Sequence, residues 1–348
     1  MCNKIGGEFE IDPLLLNTSM QAKYNQLNQY YLYGSGRSAL FAILQNIKKN
    51  YPLIKIILLP TYLCESIIDT VRIAGFDIVF YEIYEDLTIN YTNLFNKLGS
   101  DVCLFIINYF GCINTECIID KVRGEFNAQC IVLDNVQAFF NMDDLSSADY
   151  IFTSFRKWLS VPDGAWVKTS YNNMKIEKNV NKFAQFKFAG ALVKYYNRFF
   201  EISDEVYLNL FDRGENILQE NFSGQCSAIT KVIFNNINFD DIIKKRWENA
   251  LYVYTALNQL GVKILYGDKR PSVPFFVPIL VNNKHAVKLE LMKYNIFLPS
   301  HWPKSEAVNM NNNCLYTSEL SLVIDQRYSL EDMKRLVEVL DDICKKYR

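Results

Sequence analysis

Residues 149–166 read DYIFTSFRKWLSVPDGAW, and the change of character inside this stretch sets the fold class. Tyr150, Ile151, Phe152 and Thr153 are aromatic or β-branched without a break, the pattern of a buried strand. The strand signal gives way at Ser154, Phe155, Arg156 and Lys157, and Pro162, Asp163 and Gly164 then supply turn chemistry. In α/β proteins the side chains that follow a strand's carboxyl end face the ligand crevice. A lysine there, beside apolar Phe155 and Trp158, is expected to have its ammonium form disfavoured by desolvation, leaving an amine that attacks carbonyls. Taken alone, the segment also reads as an ordinary surface lysine after an edge strand, which is the commoner case.

Upstream, a short strand at 30–33 is followed by Gly34-Ser35-Gly36-Arg37-Ser38 and then by Leu40, Phe41, Ile43, Leu44 and Ile47 at helical spacing. Glycines before a buried helix allow close backbone approach, and the free N–H groups of the helix start suit an anion such as phosphate. The same residues read as G-x-G-x-x-A, half of a dinucleotide fingerprint, but the following strand, IKIILLP, brings no acidic ribose partner. A turn capped by Ser35 before a core helix is the third reading.

Strands and amphipathic helices then alternate: a strand at 53–59, a helix at 64–73, and strands at 76–83, 102–109 and 130–133. That alternation predicts a mainly parallel sheet with right-handed crossovers, with Tyr62, Asn108, Asp134 and residues 154–157 gathered at strand ends. Asp134 and Gln137 have the spacing of a capping box. A buried carboxylate at a strand end also suits a protonated ring nitrogen. The run KFAQFKFAGALVKYYNRFF, at 182–200, reads as a partly buried helix with snorkelling lysines in preference to a nucleic-acid or membrane face. From residue 227 a long helical region, the strand-like VPFFVPILV and a last helix over 330–345 predict a smaller α+β unit.

The chain has 348 residues, room for roughly two domains. Hydrophobic residues make up 50% and net charge is −1 with no basic stripe, which predicts a large core and neither nucleic-acid nor membrane-surface binding. Nine cysteines without a Cys-x-x-Cys pair predict a reducing, cytoplasmic setting, and the acidic start MCNKIGGEFEID argues against a signal peptide. With only His285 and His301 present, a histidine-rich metal site is excluded on count. His301, beside Trp302, is read either as structural or as a group reaching the cleft.

The ordered set GSGRSAL, LPTYLCESI, NYFGC, VLDNVQAFF and TSFRKWLSVPDGAW, supported by RWEN and SLVIDQRY further on, resembles the DegT/DnrJ/StrS family of pyridoxal-phosphate sugar aminotransferases. The resemblance implies an α/β protein of the pyridoxal-phosphate-dependent transferase fold type I, that of aspartate aminotransferase. A large cofactor domain with a mainly parallel central sheet would span residues 1–225, and a smaller C-terminal α+β domain residues 226–348. It further implies that Lys157 holds the cofactor as a Schiff base and shuttles the substrate proton, and that Asp134 pairs with the pyridine nitrogen. Gln137 would stand near the ring hydroxyl and Tyr62 over the ring. Ser154, with the turn Gly36-Arg37-Ser38, would hold the phosphate. The expected reaction is amino transfer, with glutamate as donor and a nucleotide-linked keto sugar as acceptor, for surface polysaccharide or related amino-sugar biosynthesis by a homodimer. Two departures stand out: Arg37 where many relatives have threonine, and SGQCS at 223–227 in place of a Gly-x-Asn-x-Arg run from the partner subunit.

Overall fold

A seven-stranded sheet carries the first half of the chain, seen in a computed structural model that describes residues 4–17, 27, 29–126, 130–141, 147–179, 182–221, 224–308 and 314–347. A two-residue strand β1 (Ile5–Gly6) precedes it, and β2 (Tyr31–Tyr33) leads into α1 (Gly36–Asn50). Then follow β3 (Ile56–Pro60), α2 (Glu65–Ile73), β4 (Asp77–Tyr81), α3 (Tyr91–Phe95), β5 (Val102–Ile107), α4 (Thr115–Phe126), β6 (Ile131–Asp134), β7 (Tyr150–Phe152) and β8 (Ala165–Thr169). The spatial order is β2-β8-β7-β6-β5-β3-β4. Strands β7, β6, β5, β3 and β4 run parallel, and β8 is antiparallel to both of its neighbours. The expected α/β class with a mostly parallel central sheet is thus the observed one.

Sequence explains these elements locally. All six residues of β5, Val-Cys-Leu-Phe-Ile-Ile, are buried, as a strand covered on both faces requires. Helix α1 begins where the Ser35 hydroxyl accepts from the Ser38 amide at 3.1 Å, and it turns Leu40, Ile43, Leu44 and Ile47 into the core. After Asp134 the expected capping box does not form. Asp134 Oδ1 accepts from the Val136 amide at 2.9 Å while Gln137 Oε1 accepts from the Phe110 amide at 2.8 Å, so residues 135–141 make turns rather than a helix.

Two antiparallel-packed helices follow, α5 (Lys182–Tyr196) and α6 (Asp204–Glu220), and then α7 (Ala228–Asn236) and α8 (Phe239–Gln259). The remainder comprises β9 (Val277–Leu280), α9 (Lys284–Lys293), β10 (Ile296–Phe297), α10 (Cys314–Ser318), β11 (Glu319–Leu322) and α11 (Leu330–Lys346). Strand β11 pairs antiparallel with β9, and β1 pairs parallel with β10, so the chain's first residues lie against its C-terminal part. Helix α11 opens with a capping box between Ser329 and Asp332 and buries Met333, Leu336, Val337, Leu340 and Ile343 on one face.

The two parts are joined beneath residue 157. Arg246 of α8 is buried; it donates to the carbonyls of Pro274 and Phe275 at 3.2 and 3.1 Å and to Gln326 Oε1 at 2.9 Å. Gln326 in turn donates to the Trp158 carbonyl at 2.8 Å. Asn249, one turn along α8, donates to the carbonyls of Ile324, Asp325 and Tyr328. The RWEN and SLVIDQRY stretches therefore form one buried polar brace. Among the described residues no helix is long and apolar enough to cross a membrane.

Candidate active site

The carboxyl ends of β5, β6 and β7 and the start of α1 open on a cavity of about 340 Å³. Ser35, Gly36, Arg37, Asp134, Gln137, Ser154 and Lys157 all line it, and His301 and Trp302 close it from the C-terminal part. Residues separated by more than 260 positions in the chain thus share one wall.

Asp134 ends β6 inside the sheet and is buried. Burial pushes its carboxyl up to about 7, opposed by the Val136 N–H and the nearby Lys157 ammonium. Gln137, also buried, spends its Oε1 on the Phe110 amide, and its Nε2 has no acceptor. An unpaired buried donor on a cavity wall is costly unless a ligand accepts from it. Phe110 is held in the left-handed region, φ 54°, so this acceptor supports a strained backbone next to the site.

Lys157 follows β7 on a single 3₁₀ turn, Phe155–Lys157. The expected desolvation is not found: Phe155 and Trp158 are buried, but Lys157 itself is exposed toward the cavity mouth. The turn projects the lysine away from the apolar residues that flank it in sequence. Gly164 makes that turn possible, since its φ is +111° and a Cβ there would collide with the Phe155 ring. Asp163, buried next to it, accepts from the Ser227 amide and hydroxyl and from the Thr230 hydroxyl, fixing the start of α7 to the same loop. Ser227 is the last residue of the SGQCS run, whose first, at 223, lies outside the described residues.

At the start of α1, Ser35 Oγ is used within the helix cap, and the first-turn amides of Gly36 and Arg37 have no intrahelical acceptor. A Cβ at Gly36 would lie 3.5 Å from Ser154 Cβ, so the missing side chain leaves a cradle between the helix and the Ser154 hydroxyl. Ser38 does not line the cavity; its hydroxyl is paired with Ser35 Oγ at 2.8 Å.

Tyr62 does not reach the cavity either. It is fully buried and packs against Tyr109, Tyr316 and Trp302, with ring centres 5.7, 5.1 and 5.2 Å away. Tyr62, the expected aromatic over a bound ring, sits one layer behind the wall; the aromatic residues that line the cavity are Phe152, Phe275, His301 and Trp302. Beside Trp302, His301 Nδ1 lies 2.9 Å from Ser321 Oγ, and Ser321 donates to Glu319 Oε1 at 2.5 Å. Because the serine proton goes to the carboxylate, its oxygen accepts from Nδ1–H, which leaves Nε2 as the ring's acceptor. Burial holds His301 below its ordinary value, favouring this neutral form.

Sequence reading brings Arg156 to the strand-end cleft but does not anticipate Glu8, Glu215 and Lys187 at the cavity's other wall. Arg156, Glu8 and Glu215 line it, and Lys187 stands behind them, ion-paired to both glutamates at 2.6 and 3.4 Å. Glycines at 190 and 214 within α5 and α6 are the available signal, since they mark where helices approach closely. Among the described residues no group of three histidine, cysteine, aspartate or glutamate side chains is placed to hold a metal.

No family model and no curated protein matches the chain. Solved structures do. Helicobacter pylori PseC, an aminotransferase involved in the biosynthesis of pseudoaminic acid, aligns over 99% of this chain and 100% of its own with a TM-score of 0.69 and 13% identity. Streptococcus pneumoniae Spr1654 in its PLP form aligns over 99% and 94% (TM-score 0.63, 14% identity). A DegT DnrJ EryC1 StrS aminotransferase from Brucella abortus aligns over 90% and 86% (TM-score 0.63, 14% identity). At such identities the likeness establishes a common fold, extending over nearly the whole chain.

Proposed function

We propose that the chain is a pyridoxal-phosphate-dependent aminotransferase that transfers an amino group from glutamate to a nucleotide-linked keto sugar, in surface polysaccharide or related amino-sugar biosynthesis. The observation that carries this reading is the convergence of Lys157, Asp134, Gln137, Ser154 and Gly36 on one cavity. The donor set suits the cofactor. A buried carboxyl at the end of β6 gains from a cationic ring N–H, the unpaired Gln137 Nε2 offers a proton to a ring oxygen, and the Gly36 cradle with Ser154 offers donors to a phosphate. Among the solved structures that share the fold, PseC is an aminotransferase involved in the biosynthesis of pseudoaminic acid and Spr1654 is in its PLP form, which adds weight to the same reading.

When bound, pyridoxal phosphate supplies an aldehyde for amines and an electron sink for the carbanion formed on losing the substrate proton. Lys157 Nζ, exposed to the cavity mouth, is the amine that would hold the group at its aldehyde and the base that would take and return the substrate proton. Asp134, as carboxylate, would hold a proton on the ring nitrogen. His301 Nε2 is an acceptor for a sugar hydroxyl. Trp302, Leu40 and Phe275 exclude water from the ring's surroundings. Association as a cytoplasmic homodimer belongs to the same proposal.

The test is the visible spectrum of purified protein after pyridoxal phosphate is added, before and after glutamate, with Lys157→Ala alongside. An absorption band that glutamate removes, and that the variant does not develop, is the expected result. A wild-type protein that takes up no pyridoxal phosphate ends the enzyme reading; one that takes it up but responds to no amino donor is a binding protein on an aminotransferase fold.

A further inference from the structure

The wall formed by α1, the Phe155–Lys157 turn and the α5–α6 pair concentrates charge. Arg37 Nη2 lies 2.8 Å from Glu215 Oε1, and Arg156 Nη2 and Lys187 Nζ lie 3.7 and 3.4 Å from Glu215 Oε2. Glu8 approaches the same cations, 2.6 Å from Lys187 and 4.0 Å from Arg156. Three cations thus face two carboxylates, an excess of one positive charge.

The cluster is built rather than incidental. Lys187 is almost fully buried, and its stem lies flat on α6 because residue 214 is glycine, where a Cβ would come within 3.1–3.3 Å of the lysine's Cγ, Cδ and Cε. Two guanidinium nitrogens, Arg37 Nη1 and Arg156 Nε, are shielded from solvent yet have no acceptor. Glu215 is held far below its usual range, to about 2: burial would raise it, and Arg156, Arg37 and Lys187 overcome that. The residues that carry the unspent donors line the cavity wall that also holds the Gly36 cradle and Ser154, and the surplus charge is that of Lys187, directly behind it.

We propose that Arg37 and Arg156 form a phosphate-binding cluster within a single subunit, with Lys187 behind them supplying positive charge and Glu215 as the internal counter-anion that tunes its affinity. Donation from the guanidinium groups to a phosphate dianion is charge-assisted, and the Lys187 charge behind them acts through a buried, weakly screened site. That the carrier is the cofactor rests on the function proposed above; the anion site itself does not. A nucleotide's diphosphate offers the same chemistry.

The test measures affinities by calorimetry on the full chain for pyridoxal phosphate, for pyridoxal, which lacks the phosphate, and for inorganic phosphate. Uridine diphosphate is titrated into protein already exposed to pyridoxal phosphate. Wild type is compared with Arg156→Met, Lys187→Met and Glu215→Gln, with Arg156→Lys as a conservative control. The methionine variants are expected to weaken pyridoxal phosphate and inorganic phosphate by about tenfold or more while leaving pyridoxal unchanged. Glu215→Gln, which raises the surplus charge, is expected to tighten both, an effect that loss of structure cannot mimic. Losses confined to uridine diphosphate uphold the site and reassign its carrier to the substrate. A wild type that ignores pyridoxal phosphate but binds inorganic phosphate with this charge dependence overturns the proposed cofactor and leaves the site standing. Equal losses for pyridoxal and pyridoxal phosphate, or weaker phosphate binding in Glu215→Gln, would show the cluster to be a structural frame and overturn the inference.

Discussion

The guanidinium of Arg246 lies 4.6 Å from the centre of the Trp158 ring, so the residue next to Lys157 is gripped by a buried cation from the C-terminal part of the chain. The same guanidinium supplies donors to the carbonyls of Pro274 and Phe275 and to Gln326. Arg246→Met keeps the bulk and removes those donors. Leaving the acceptors unpaired in the core is expected to cost about 3–5 kcal/mol, read as a lowered midpoint in denaturant. An unchanged midpoint would mean that the brace carries no stability.

Two glycines of the site are expected to respond oppositely to alanine. At Gly164 the backbone is left-handed and the new Cβ collides with Phe155, so Gly164→Ala is expected to cost about 2 kcal/mol or more and to disturb the lysine turn. At Gly36 the new methyl meets Ser154 Cβ at an ordinary 3.5 Å, so stability is expected to hold while the cradle fills and affinity for pyridoxal phosphate falls. Thermal melts beside cofactor titrations separate the two. Equal melting losses in both variants would refute the distinction.

Tyr62 gives a test of a different sign. Its hydroxyl is buried without a partner, and the ring contributes packing alone. Tyr62→Phe is expected to leave stability unchanged or raise it by up to about 1 kcal/mol, with cofactor affinity unaltered. A large loss of affinity would restore Tyr62 to the wall of the site.

The β5 run VCLFII and the placement of Asp134, Ser154 and Lys157 at or just beyond strand ends are legible because buried strands and their terminators have local signatures. Sequence alone misplaces Tyr62 because strand periodicity gives a position along the sheet and not the layer in which a side chain finishes. It also predicts a desolvated Lys157 because the flanking residues are apolar, yet a 3₁₀ turn sends neighbours in opposite directions. The Arg37–Arg156–Lys187–Glu215 cluster joins residues 37 and 215, and nothing local in the chain encodes that meeting. The glycines at 190 and 214 are its visible traces.

Asp134 ties stability to pH with a sign opposite to that of a salt-bridged carboxylate. Its folded value, about 7, lies above the ordinary 3.8, so between those values the folded chain keeps a proton that the unfolded chain has released. Stability from this group is therefore whole below about pH 4, falls as pH rises toward 7 and levels off above, a loss on the order of 4 kcal/mol. An asparagine at this position cannot ionise, but its side-chain oxygen can still accept from the Val136 amide. Without added cofactor, Asp134→Asn is therefore expected to match wild type at pH 4 and to melt higher at pH 8. Adding pyridoxal phosphate is expected to reverse the order at pH 8, because the carboxylate then gains a cationic partner. Melting curves for the two proteins that stay parallel from pH 4 to pH 8 would show that burial does not control this carboxyl. Curves that diverge as expected, but without reversal on adding the cofactor, would keep the electrostatics and remove Asp134 from the ring nitrogen.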